Sequence, residues 1–79
     1  MEHFEEIEKK IVWGQNFNKL IKSLDNNNDI SFFPKEKDEI DFYIKNFESF
    51  MDHNEEKYRD REGKEFFERI KEFIEKIQK

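Results

Sequence analysis

Residues 40–51 read IDFYIKNFESFM, and the apolar members Ile40, Tyr43, Ile44, Phe47, Phe50 and Met51 follow the i, i+3, i+4, i+7 spacing that lines one face of a helix. Upstream, Pro34 suits the first turn of that helix, where its missing N–H costs nothing, and it pushes Phe33 into an extended conformation. Glu36, Asp38 and Glu39 follow, favourable against the positive end of the helix dipole. Downstream, Asn54 and Tyr58 continue the stripe in register from Met51, so the helix is expected to run on to Arg61 and break near Gly63. The alternative ends it near Asn54, which would then cap a new helix.

Two further helical regions flank this one. Phe66, Phe67, Ile70, Phe73, Ile74 and Ile77 form a second clean stripe, supported by Glu65–Arg69, Glu72–Lys76 and Glu75–Lys79 pairs at i, i+4. In the N-terminal third, Phe4, Ile7 and Ile11 share one face, while Trp13, Phe17, Leu20, Ile21 and Leu24 share another, turned by about 120°. One straight helix cannot aim both at one core, so a kink or break is expected around Gly14, between Val12 and Asn16. The alternative is a continuous helix whose first turns touch a different neighbour, such as a second subunit. Asn26, Asn27 and Asn28 end the region, because short amides compete with helix hydrogen bonds, and Ile30 to Phe33 become a short connector. The expected fold is all-α: a three-helix bundle with a kinked or broken first helical region, one domain over residues 1–79.

Length and composition narrow what such a bundle can do. Seventy-nine residues lie near the low end of what folds without a staple, and with no cysteine there is neither a disulfide nor a thiolate metal site. About twenty of the apolar residues are accounted for by the three stripes. Among those left over are Phe32, Phe33 and Phe42. Phe32 and Phe33 are neighbours in an extended segment and so point to opposite sides; one closes the end of the core and the other is left for a partner. No stretch approaches the roughly 20 apolar residues of a membrane span. The opening MEHFEEIEKK is acidic where a secretory signal is basic and then apolar, which reads as a soluble cytoplasmic chain. Ten phenylalanines, twelve lysines and no alanine point to an AT-rich genome, such as that of a low-GC bacterium or its phage.

The net charge of −5 argues against direct nucleic-acid binding, which needs a concentrated basic surface. From Glu36 to Glu56 there are eight acids and two lysines, a local charge of −6. Asp38, Asp41, Glu48, Asp52 and Glu56 form a row interrupted by Lys45, with Phe42 beside it, opposite the apolar stripe. Along a helix these acids stand about 5–10 Å apart, comparable to phosphates along one nucleic-acid strand. Catalytic chemistry finds no support: His3 and His53 begin no ligand pair, the three serines sit in no nucleophile elbow, and the two glycines form no phosphate loop. Asp52, His53 and Glu56 are no more than a site for a stray divalent ion, so no catalytic residue, metal or cofactor is expected.

The run DISFFPKEKDE, residues 29–39, resembles the part of nuclease-colicin immunity proteins where two aromatics precede a proline and an acidic tract follows. Phe32 and Phe33 stand where that family has tyrosines, and the chain before them is shorter. The resemblance implies an acidic, aromatic patch that blocks a basic nuclease. Charge alone leads to the same class: a small non-enzymatic inhibitor or modulator, encoded by a phage or mobile element, that mimics nucleic acid. Its expected docking residues are Phe32, Phe33, Asp38, Asp41, Phe42, Glu48, Asp52 and Glu56, and its expected partner is a larger protein with a basic surface, such as a nuclease or CRISPR effector. The rival reading is a structural homo-oligomer that pairs through Phe4, Ile7 and Ile11, with the acids serving solubility.

Overall fold

The computed structural model describes the backbone of residues 2–79 and the side chains of residues 4–79. Three helices follow one another: α1 (Glu2–Asp25), α2 (Lys37–His53) and α3 (Arg61–Gln78). Each packs against the other two. The core is aromatic and aliphatic, with Leu20 and Leu24 from α1, Tyr43 and Phe47 from α2, and Phe66, Ile70, Phe73 and Ile77 from α3 all buried. The three stripes read from the sequence therefore converge. No described helix is long and apolar enough to cross a membrane.

Helix α1 passes through Gly14 without a break in its hydrogen-bonded turns. The two misaligned stripes are reconciled differently. The second half faces the bundle, burying Leu20 and Leu24 and packing Trp13, Phe17 and Ile21 against the core. In the first half, every side chain from Phe4 to Val12 is exposed. An unbroken helix of 24 residues is about 36 Å long, and the molecule measures 47 × 23 × 19 Å, so α1 accounts for much of its length.

The C-terminal end of α1 is closed twice. Asn27 takes the left-handed conformation (φ 54°), its N–H donates to the Leu24 carbonyl at 3.2 Å, and the Asn28 N–H donates to the Ser23 carbonyl at 2.8 Å. That pair of bonds is a Schellman motif with asparagine in place of glycine. Arg69 of α3 adds a second closure: its Nε donates to the Leu24 carbonyl at 2.8 Å, and Nη2 reaches the Asp25 carbonyl at 3.4 Å. A guanidinium on the negative end of a helix dipole makes a charge-assisted contact. It ties α1 to α3 across 45 residues of sequence.

Two expected boundaries are corrected. Pro34 does not open α2. It lies buried in the connector two residues before the N-cap Glu36, and the first helical bond runs from the Ile40 N–H to the Glu36 carbonyl at 2.9 Å. Nor does α2 run on to Arg61. It stops at His53, with Asn54 as C-cap: the Asn54 N–H and side-chain amide both donate to the Phe50 carbonyl, at 3.0 and 2.8 Å. A turn over residues 54–58 then swings the Tyr58 ring against Phe66 and Phe67, with centroids 5.1 and 5.4 Å away. Asp60 caps α3, its carboxylate accepting from the Gly63 N–H at 2.8 Å. Gly63 is thus not a breaker but a buried residue in the first turn of α3, where the Tyr58 backbone crosses it.

Inside the core, the Tyr43 hydroxyl donates to Glu39 Oε2 at 3.1 Å. Burial, then the hydrogen bond and charge of Glu39, push the Tyr43 pKa above the ordinary value of 10. A phenol whose folded pKa is raised supplies stability below the unfolded value of about 10 and loses it as pH rises toward the folded value. Thermal unfolding midpoints are therefore expected to fall steadily above pH 10, and the Tyr43→Phe variant is expected to lose part of that alkaline sensitivity. Identical pH profiles for the two proteins would rule this out.

Candidate functional site

The exposed face of α2 is built by the periodicity that buries the other one. At 100° per residue, Asp38, Asp41, Lys45, Glu48 and Asp52 fall within about 80° of each other, roughly opposite Tyr43 and Phe47. All five are exposed, whereas Tyr43 and Phe47 are 0% exposed. From Asp38 to Asp52 the row spans about 21 Å. Among the described residues, none of the ion pairs involves these four carboxylates; the three found are all local, at Glu56–Arg59, Arg61–Glu65 and Glu68–Lys71.

Of the remaining expected docking residues, Phe42 borders the N-terminal end of the row, while Glu56, Phe32 and Phe33 do not join it. Glu56 lies beyond the end of α2, in the turn, within 3.7 Å of Arg59. Phe42 is half-buried instead of standing free, because α1 runs alongside the start of α2 and lays Trp13 against it, ring centroids 5.6 Å apart. Phe32 packs against the core. Phe33, 45% exposed, stacks on Phe73 of α3 at 5.5 Å with 16° between planes, and lines a cleft with Arg69 and Lys76 away from the acid row. The neighbouring phenylalanines do divide between core and surface.

One feature of the site was hidden in the sequence. The start of α2 and the exposed half of α1 enclose a groove of about 440 Å³ with Trp13 and Phe42 among its lining residues. Asp38, Asp41 and Lys45 line it from α2, Glu36 from the N-cap, and Glu6, Lys9 and Lys10 from α1. The N-terminal end of the acid row thus faces lysines, while Glu48 and Asp52 do not line this groove. The only hint in the sequence is that Lys9 and Lys10 share a helix face with Trp13.

At the end of α2, His53 Nδ1 lies 2.7 Å from the Ser49 carbonyl oxygen. Among the described residues no group of three or more histidines or carboxylates is placed to hold a metal ion. Compared with models of protein families, with curated proteins and with solved structures, the chain matches none of them. Its chemistry is therefore read from its own surface.

Proposed function

We propose that the chain is a non-enzymatic binding protein whose α2 acid row occupies a basic, nucleic-acid-binding surface of a larger protein. The observation that carries this reading is the set of four exposed carboxylates, Asp38, Asp41, Glu48 and Asp52, spread over about 21 Å of one helix face with no ion-pair partner among the described residues. Charges arranged this way steer encounter with an oppositely charged groove and set its register. The half-buried Trp13–Phe42 pair beside the row offers an apolar anchor of the kind that supplies affinity at interfaces. Around the groove Lys9, Lys10 and Lys45 offset part of the charge of Glu6, Glu36, Asp38 and Asp41, and the row stays acidic along its length. Nucleases, CRISPR effectors and restriction enzymes carry surfaces of this chemistry, and the role that fits such a partner is an inhibitor encoded by a phage or mobile element. The likeness of residues 29–39 to nuclease immunity proteins leads to the same class.

The test uses the purified protein as bait in a lysate of a low-GC bacterium, washed at low and at high salt. A nucleic-acid-handling protein held at low salt and released at high salt is the expected capture, with duplex DNA or RNA competing for it. Reversing Asp38, Asp41, Glu48 and Asp52 to lysine leaves the fold intact, since all four are exposed, and is expected to weaken that association by about 100-fold or more. Unchanged binding by the reversed variant overturns the proposal.

A further inference from the structure

We infer that the exposed half of α1 pairs with the same segment of a second copy, antiparallel, with Phe4 of each chain seated over Gly14 of the other. Among the described residues, four of the five large apolar side chains that stand exposed lie on this one segment: Phe4 at 67%, Ile7 at 57%, Ile11 at 56% and Val12 at 50%. Phe4, Ile7, Ile11 and Gly14 follow the alternating three- and four-residue spacing of a coiled-coil seam. At 100° per residue the seam is turned by about 120° from the Trp13, Phe17, Leu20, Ile21 and Leu24 face that packs on the bundle, and Phe4, Ile7 and Ile11 stand clear of it.

Gly14 is the observation that selects the occupant. Glycine is the least favourable helix-interior residue after proline, and nothing in this chain needs one here: a Cβ at Gly14 would meet no atom within 4 Å. A second helix, however, approaches closely where a side chain is missing. In the antiparallel register that sets Ile7 against Ile11 of the partner copy, Phe4 falls opposite Gly14, the largest member of the seam against the smallest. The twofold axis passes near residue 9, and the interface is self-complementary, as a closed dimer requires.

Size sets the strength. The three apolar side chains of the seam offer on the order of 400 Å² per copy, about half of a standard interface, and the flanking Glu8, Lys10 and Gln15 add to it. Glu8 meets its own copy across the axis on one rim and Lys10 on the other, so the pair is weak at low ionic strength and strengthens with salt, opposite to the salt response of the acid row.

Sedimentation equilibrium from about 1 µM to about 1 mM is expected to show monomers giving way to dimers across that range. Ile7→Glu, at an exposed position that leaves the monomer folded, is expected to abolish the dimer. The chain has no cysteine, so Phe4→Cys and Gly14→Cys proteins can be oxidised separately and mixed. Crosslinking in the mixture, and not in either protein alone, is the expected result. A monomer at all concentrations overturns the inference, and so does self-crosslinking of Phe4→Cys alone, which marks parallel pairing. Neither outcome touches the acid row.

Discussion

Replacing Gly63 with alanine is expected to destabilise the protein by about 2 kcal/mol or more, although helix propensity alone predicts a gain of about 1 kcal/mol. The added Cβ would sit 2.5 Å from Tyr58 Cα, 2.6 Å from Tyr58 C and 2.7 Å from Tyr58 Cβ. Two of these are backbone atoms, held by the turn that closes α2 and by the packing of the Tyr58 ring between Phe50 and Phe67. They cannot swing aside as a flexible side chain would. No glycine has a positive φ, so the requirement is for space and not for conformation. The internal control is Gly14→Ala, where the new methyl meets nothing and the propensity gain of about 1 kcal/mol is expected in full. Urea unfolding at a few micromolar, the dilute end of the range proposed for pairing, reads both variants. Equal effects from the two substitutions would remove the case for close approach at Gly63.

Phe47→Ala is expected to cost about 3–5 kcal/mol, the range for deleting a buried aromatic ring. Phe47 is 0% exposed and touches rings from both other helices, with centroids 4.7 Å from Phe17 of α1 and 5.7 Å from Phe73 of α3. No other helix can close over the space, since all three already meet there. Domains of this size have total stabilities of roughly 4–12 kcal/mol, so the variant sits near the edge of folding. Circular dichroism is expected to show a strongly lowered midpoint or no cooperative transition. Phe33→Ala provides the contrast: that ring is already 45% exposed and packs on one face of Phe73, so its loss is expected to cost about 1 kcal/mol. A Phe47 variant as stable as the Phe33 variant would show that the centre of the core lies elsewhere.

The three helices were legible because each carries an apolar stripe of the right period, and Ile40 to Met51 and Phe66 to Ile77 land where the stripes put them. The acid row was legible for the same reason, as the complement of a buried face. What failed was punctuation. Gly63 reads as a breaker from sequence, but glycine serves close approach as readily as chain reversal, and only the position of Tyr58 tells the two apart. The usable signal was Asp60, a capping residue three positions before Gly63 and just ahead of the apolar run. The start of α2 was placed about one turn too early, at Pro34, because a proline ring can be buried in a connector without opening a helix. The partial burial of Phe42 was not legible at all. It depends on α1 passing beside α2, a tertiary fact with no local trace in the residues around it.

The chain has a single tryptophan, and it sits at the boundary where α1 leaves the bundle. Trp13 packs on Phe42 from one side and lines the groove beside Asp38 and Asp41 from the other. Its intrinsic fluorescence is therefore a built-in optical gauge of this boundary, free of any second indole signal. Emission recorded during a titration reports solvent access at the junction of packed and projecting helix, at the place where a ligand seated against the start of α2 displaces water.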